Sequence, residues 1–512
     1  MGHVKAIYLN FELGKKYNSP VNLRFDDTNP NKESKKFIKS IKEDILFLGF
    51  KWDKESYASD YFKNLYDLAK TLIKNNYAYI DDQPKYKIKL QRKNYFESGI
   101  NSNNRNRSIE ENLFLFEKMK NGFFKEGFCV LRAKIDMSSS NINMRDPIMY
   151  RIIKKKHYKT GYNWCIYPTY DWAHGQCDYI EQISHSLCSL EFENKRPLYN
   201  WFIKKICNNK NIKPKQIEFS RLNLSNTITS KRKIQFLIKN KIIKSWDDPR
   251  LSTISGLRKR GYTSTSIKNF IKEVGVSKRN NTIDKSLLEF WIRKDLNKIT
   301  PRIMVVINPI KITITNYPEN NVEWMNAENN PENINSGFRK IPFSKNLYIE
   351  YNDFLEKKKE NFFRLYIGNE VRLKNAYIIK ANSIKKNDNG LIKEIYCTYD
   401  PLSRSKESKN NRKIKSTLHW VSIQHSFIIK INLYEKLFLK KNINHINEKI
   451  YENINLKSLK KTIGYAEPYL KNIAKVGNHI QFQRIGYFYI EKINNNVITF
   501  NKTISLKGYK NK

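Results

Sequence analysis

Carboxylates are scarce in this chain. Asp and Glu number 49 against 95 Lys and Arg, a formal net charge of +46. So large an excess excludes a basic partner and favours a polyanion, nucleic acid above acidic peptides. Part of the lysine excess is compositional, because it comes with the Ile and Asn that A+T-rich coding produces. Cysteine is also sparse. Cys129, Cys165, Cys177, Cys188, Cys207 and Cys397 form no CxxC pair and no His/Cys cluster at zinc spacing. Neither a metal site nor a disulfide framework is expected, and a reducing cytosol fits best. No apolar run approaches the roughly 18 residues of a membrane span. Met1 is followed at once by an amphipathic stretch, not by the basic flank and apolar core of a signal peptide. What is present is the material of several ordinary domains: 512 residues, 40% hydrophobic and 13% aromatic, too apolar for a disordered chain.

Two stretches carry chemistry. Ile228, Thr229, Ser230, Lys231, Arg232 and Lys233 place adjacent cations behind small hydroxyl residues. Lys offers a point charge to phosphate, and Ser can donate a hydrogen bond. Alone, such a tetrad in a lysine-rich chain is a solvated basic turn. It gains meaning beside Gly2 and His3, which open a segment with Val4, Ile7, Tyr8, Phe11 and Leu13 at helical spacing. Gly admits close backbone approach, and a helix N-terminus favours anions. Residues 21–25 alternate as a short strand that ends in Asp26, Asp27, Thr28, Asn29 and Pro30. Open α/β sheets gather ligand groups at such a turn. The same residues also suit a simple cap for the next helix.

Helices are expected over residues 36–50, 61–75 and 109–120, and a strand over 128–137. Residues 164–171 read as a buried strand leading into a sheet-edge turn. A helix is expected from 178 to about 192, with Ile180, Ile183, Leu187 and Leu190 inward and Cys188 on its apolar face. A helical piece at 198–205 and a strand at 216–222 deliver the cationic loop. Helices follow at 265–275 and 284–298, the second capped from Asp284. Beyond Pro301 the texture turns β-branched and alternating, at 305–307, 310–317, 347–351, 372–380, 391–399, 418–423 and 482–490. Residues 401–416 read as a charged loop. The main boundary is set near 300, with barrel or sandwich modules beyond it.

Taken together, RFDDTNP, MRDPIMYRI, YPTYDWAHGQCDYIEQISHSLCSLEF, the SKRK loop, PRIMVVINPIKI, EVRLKNAYIIK, CTYD and LHWVS resemble the glutaminyl-tRNA synthetases, a family of class I aminoacyl-tRNA synthetases, over almost the whole chain. The resemblance implies an α/β plus all-β protein. A Rossmann-like catalytic core would occupy residues 1–60 and 161–235, an inserted acceptor-stem-binding domain 61–160, a helical subdomain 236–300, and two antiparallel β-barrels that bind the anticodon 301–512. It implies ATP-dependent attachment of L-glutamine to tRNA(Gln) through a glutaminyl-adenylate, with Mg2+ accompanying ATP, in a cytoplasmic monomer. Gly2 and His3 match the end of the family's HIGH motif, and Ser230, Lys231 and Arg232 its KMSKR loop, both on ATP. Asp26 would take the glutamine amino group. Arg24, Tyr170, Cys188 and Gln216 would line the same pocket. Arg372 and Lys374 would touch the tRNA. Two other readings share these motifs: a glutamyl-tRNA synthetase of archaeal or eukaryotic type, and a tRNA-binding relic without catalysis. The family's first strand and the opening His-Ile of its HIGH motif precede the position of Met1, so an upstream start is expected. Thr229 replaces the usual Met, and Gly175, Gln176 and Cys177 also depart from the family pattern.

Overall fold

The computed structural model describes residues 2–31, 35–207, 212–228, 230–405, 414–439 and 453–508. Met1, Thr229 and half of the charged loop expected at 401–416 lie outside them. The chain forms two compact units, Gly2–Asn223 with Gly275–Asn281, and Leu224–Val274 with Thr282–Lys512.

In the first unit the helix Gly2–Tyr17 leads to the strand Leu23–Phe25, which pairs in parallel with Glu55–Tyr57, Arg24 opposite Ser56. The strands Ala78–Asp81, Val130–Ala133, Ile148–Ile152 and Ile166–Pro168 make a four-stranded antiparallel sheet. The amphipathic helices Phe62–Lys74 and Ile109–Lys120 cover it with Tyr66, Leu72 and Phe116, against Leu131, Tyr150 and Trp172. A second parallel pair joins His185–Ser189 to Lys215–Phe219. Within the sheet, Arg132 and Asp81 form a fully buried ion pair at 2.7 Å. Such a pair is retained only because each charge would be far costlier alone.

One expectation fails here. Residues 178–192 are not a helix. The helix is Tyr170–Ile180. It ends at Glu181 and Gln182, the latter at φ 55°, and the chain continues as the strand His185–Ser189. Cys188 therefore sits on a strand. Ile183, Leu187 and Leu190 are only partly buried. Apolar residues three and four apart fit a helix, but the backbone groups of 185–189 are satisfied by Lys215–Phe219, and that long-range pairing prevails.

The second unit holds two closed sheets. One runs, neighbour to neighbour, through Arg302–Ile303, His479–Phe482, Gly486–Asn494, Val497–Ser505, Phe427–Tyr434, Leu459–Ala466 and Val305–Val306. Its first and last strands are separated only by Met304, so the sheet meets itself and becomes a barrel. The other runs through Thr417–Leu418, Glu370–Leu373, Ile378–Lys386, Ile392–Asp400, Pro309–Ile314, Asn346–Glu350 and Val421–Ser422. Its seam is His419 and Trp420. Trp420 is buried in the barrel core, and its indole N–H donates to the Lys374 carbonyl at 2.9 Å. Closure leaves no long edge to pair with another chain. The strand expected at 372–380 is instead a hairpin, turned at Asn375 with φ 60°.

The buried pair of Arg339 and Glu467 and the bidentate pair of Arg484 with Asp353 tie one barrel to the other. The helices Ile254–Arg260 and Lys285–Ile299 pack on the barrel that ends the chain. Arg260 and Arg293 donate to the carbonyls of Thr503 and Ser505 at 3.2 and 2.8 Å. Helical residues past 236 thus share a unit with the barrels. Among the described residues no helix is long and apolar enough to cross a membrane.

His479 fastens Gly261 to this barrel through its Nε2, 2.9 Å from the carbonyl. Burial pulls the imidazole below its ordinary 6.5. The folded state thus prefers neutral His479, and the unfolded chain binds the proton more readily. This contribution to stability is complete above pH 6.5 and is lost as pH falls through the lowered folded value. A His479→Gln variant, whose amide can still donate to Gly261, should lose less thermal midpoint than the parent between about pH 7 and about pH 5. Parallel midpoint curves would remove this role.

Candidate active site

A buried guanidinium organises the first unit. Arg24, on the strand Leu23–Phe25, donates to Asp26 at 3.0 Å, Glu181 at 2.9 Å and Asp178 at 2.7 Å. Burial opposes its charge, but Asp26, Asp178 and Glu181 together hold it protonated well beyond the ordinary range. Glu181 also accepts from Ser56 and Tyr61 at 2.5 and 2.9 Å, and burial with that bond pushes the Tyr61 phenol up to about 12. Asp178 accepts from the Tyr199 hydroxyl at 2.9 Å. Its neighbour in sequence to Asp26, Asp27, is fully buried. Asp27 takes the Ser59 N–H and hydroxyl and the Tyr158 hydroxyl, so it is a structural clamp.

Tyr170, His174 and Asp178 lie at i, i+4 and i+8 of the helix Tyr170–Ile180 and share one face. Tyr170 stacks on His174 with ring centroids 5.1 Å apart. Its phenol is buried and lies within the fields of Asp26, Asp178 and Cys188, in that order, which push it above its ordinary range. His174 reaches Ser186 at 3.3 Å, joining this face to the strand His185–Ser189. On that strand Cys188 stands opposite Glu218, and Ser186 opposite Gln216. Burial, reinforced by Glu218, pushes the Cys188 thiol up to about 12, so it is neutral and a weak donor. Gln216 donates to Glu218 at 2.9 Å and to the Phe192 carbonyl at 3.2 Å, while Arg196 pairs with Glu218 at 2.9 Å. Arg24, Asp26, Tyr170 and Cys188 are thus brought together, with Gln216 on the adjoining strand.

Gly2 and His3 begin a helix fixed to the far end of that strand. Lys5, 2% exposed, donates to the Ser220 carbonyl and hydroxyl at 2.9 and 3.0 Å. A Cβ on Gly2 would sit 3.4 Å from the Arg221 side chain. In the second unit, Ser230 occupies the N-cap position of the helix Lys231–Lys239, anchored through Ile234 and Leu237. Lys231 and Arg232 are exposed in its first turn, which holds no acid. Cations there add to the positive end of the helix dipole and are unfavourable without an anion. In the barrel, Arg372 donates to the Ser403 carbonyl at 2.7 Å and to Ser405 at 3.3 Å. Lys374 sits partly buried beside Arg302 and Arg339, and its burial lowers its pKa.

Sequence reasoning missed Asp178, Glu181, Tyr199, His174 and Lys5. The signal was the i, i+4 spacing from Tyr170, hidden by starting the helix eight residues late. It also missed Arg364, which shares the buried Asp353 with Arg484 at 2.8 Å.

Residues 1–298 match the family described as tRNA synthetases class I (E and Q), catalytic domain. Residues 300–400 and 417–491 match two families, both described as tRNA synthetases class I (E and Q), anti-codon binding domain. The matches define a class I tRNA synthetase catalytic domain followed by anticodon-binding domains, and the latter fall on the two closed barrels. A Glutamine--tRNA ligase of Clostridium perfringens is 48% identical over 510 residues, 99% of this chain and 92% of its own. One of Clostridium kluyveri is 47% identical over 511 residues, 99% of this chain and 91% of its own. The chain belongs to the class I tRNA synthetases of the glutamate and glutamine group. In a solved structure, a glutamate tRNA ligase from Elizabethkingia meningosepticum aligns with 58% of this chain and 67% of its own, at 15% identity and TM-score 0.43.

The structure gives Gln176 a cost. It is fully buried, and neither its amide oxygen nor its amide nitrogen has a hydrogen-bond partner. A buried orphan amide costs about 1–3 kcal/mol. Gln176→Leu should therefore raise the denaturation midpoint and leave the charging rate unchanged. A lower midpoint would show that the amide is satisfied in solution by internal water.

Proposed function

We propose that this chain is a glutamine--tRNA ligase that joins L-glutamine to tRNA(Gln) at the expense of ATP, as a cytoplasmic monomer. The observation that carries the choice of amino acid is the charge of the Arg24 cluster. Three carboxylates surround one guanidinium, so the cluster is net negative and suits the substrate ammonium at Asp26. Both nearby guanidiniums, Arg24 and Arg196, are already paired with carboxylates. Little is left to neutralise an acidic side chain, whereas the neutral Cys188 thiol, Gln216 and Tyr170 suit an amide. A buried site of this kind rejects a near-isostere because donors and acceptors are left unpaired.

In the first step a glutamine carboxylate oxygen attacks the α-phosphorus of ATP. The bond from that phosphorus to the bridging oxygen breaks, and diphosphate leaves. In the second, the terminal ribose hydroxyl of the tRNA attacks the activated carbonyl and AMP leaves, the hydroxyl proton passing to the departing phosphate or to water. Neither step needs a covalent enzyme intermediate. Positioning and charge stabilisation suffice. His3 and Gly2 hold ATP at the start of their helix. Lys231, Ser230 and Arg232 hold the β- and γ-phosphates, whose negative charge offsets the cations of that first turn. Mg2+ would travel with the triphosphate and supply further charge compensation through phosphate oxygens. The described residues hold no cluster of three or more His, Cys, Asp or Glu suited to a metal of their own. Arg372, Lys374 and the Arg364–Asp353–Arg484 group contact the anticodon end, the three guanidiniums held in place before the RNA arrives.

The decisive assay offers purified protein glutamine and glutamate on tRNA(Gln) and tRNA(Glu). Glutamine on tRNA(Gln) should be the efficient pair, and efficient glutamate charging would end this reading. Lys231→Ala should lower adenylate formation about 100-fold or more while sparing tRNA affinity. Unchanged activation kinetics would take Lys231 out of the reaction.

A further inference from the structure

The second unit contains a trench that none of the site residues above lines, with a volume of about 1040 Å³. Its floor is the outer face of the last barrel. Across that sheet Lys492 stands opposite Thr499, Thr499 opposite Lys430, and Lys430 opposite Ile463. Asn432 and its partner Lys461 follow two residues along, on the same face. The wall is the segment after the helix Lys231–Lys239, carrying Lys241 and Lys244. Lys241, Lys244, Lys430, Lys461 and Lys492 are exposed, and none is paired with a carboxylate among the described residues. Among the described residues the only acids in the lining are Asp248 and Glu491. Asp248 is held by Arg250 at 2.9 Å, and Glu491 faces Lys259 at 3.8 Å and Asn432 at 3.3 Å. The trench is therefore a cleft of uncompensated like charge, which repels itself until a polyanion enters.

We propose that this trench holds a stretch of the sugar-phosphate backbone of the tRNA being charged, through phosphate contacts that carry no sequence information. Its lining supplies lysine point charges, with Arg250 the only guanidinium among the described residues and already occupied. It suits backbone and not base edges. Commitment to the tRNA under reaction rests on the function proposed above and on continuity of the chain. The helix whose first residue is Lys231 ends at Lys239, beside the trench wall. Phosphate in the trench and triphosphate at Lys231 therefore bear on opposite ends of one helix.

The test is equilibrium binding of tRNA(Gln) and of a tRNA of unrelated sequence, from about 50 to about 200 mM salt, by the full chain and by Lys430→Ala/Lys461→Ala/Lys492→Ala. The three side chains are exposed on a barrel surface, and the far-ultraviolet spectrum and thermal midpoint of the variant check its fold. Glutamine charging at saturating tRNA by the parent protein tests the function separately. The variant should bind both tRNAs at least 10-fold more weakly at the lower salt. Its plot of log affinity against log salt should be shallower by about 2 to 3. Its charging rate at saturating tRNA should match the parent's. Unchanged affinity and slope overturn the proposal, as does weakening confined to one tRNA sequence. Should the triple variant misfold, Lys430→Gln and Lys492→Gln singly must each lower the slope by about 1, and parent-like slopes in both overturn it equally.

Discussion

A guanidinium taken out of water must be paired, and Arg24 is paired three times. Its side chain is 10% exposed, so breaking one bond leaves a carboxylate buried against its neighbours. That cost makes the arrangement a geometric constraint. Asp26 lies two residues on, just past the end of the strand Leu23–Phe25. Asp178 and Glu181 come from the end of one helix, and Glu181 reaches Ser56 and Tyr61 in turn. One side chain therefore fixes the relation of a strand, its parallel partner and a helix. Gly175 belongs to the same device. A Cβ there would lie 3.1 Å from the Tyr199 ring, and the close approach keeps the Tyr199 hydroxyl on Asp178.

How much of this could be read in advance depended on how local the cause was. The helices Ile109–Lys120 and Lys285–Ile299 are set by spacing and by their caps, Ser108 and Asp284, and both were legible. Residues 178–192 were not. Their apolar spacing fits either period, and the choice was made by strand Lys215–Phe219, about thirty residues on. That one misplaced element hid most of the site, because the Tyr170, His174, Asp178 face exists only if the helix starts at Tyr170. Asp26, Tyr170 and Cys188 could still be named as candidates from the resemblance alone, whatever structure carries them, and the structure brings them into one cluster. Asp178 and Glu181 sat inside the same quoted motif, but a carboxylate on a helix reads as a surface group until its buried partner is known.

Barrel closure was illegible for a stricter reason. The alternating strands were visible, but the seams at Met304 and at His419 with Trp420 depend on strands more than a hundred residues apart in one case, at Val305–Val306 with Leu459–Ala466. Nothing in PRIMVV says that its two halves serve opposite edges of one sheet. The physical demand is plain once stated. A strand broken by one or two residues can hydrogen-bond to both ends of a curved sheet, and every backbone group on those edges is then satisfied.

The distribution of cations separates function from composition. In the interior, Arg24, Arg132 and Arg339 face carboxylates, and Lys5, without one, bonds to Ser220 and has its pKa lowered by burial. The charges of Arg24, Arg132 and Arg339 are thus offset within the fold and add little to an external field. The excess lies on the surface, where a scattered Lys costs little and says little. What carries information is a cation placed where it is unfavourable without a ligand. The first turn at Lys231 and Arg232 is such a place, because the helix dipole opposes it and the turn itself holds no acid. Compositional drift adds lysines wherever they are harmless. At the positive end of a helix they are not harmless, and that is the physical ground for proposing an anion at this turn.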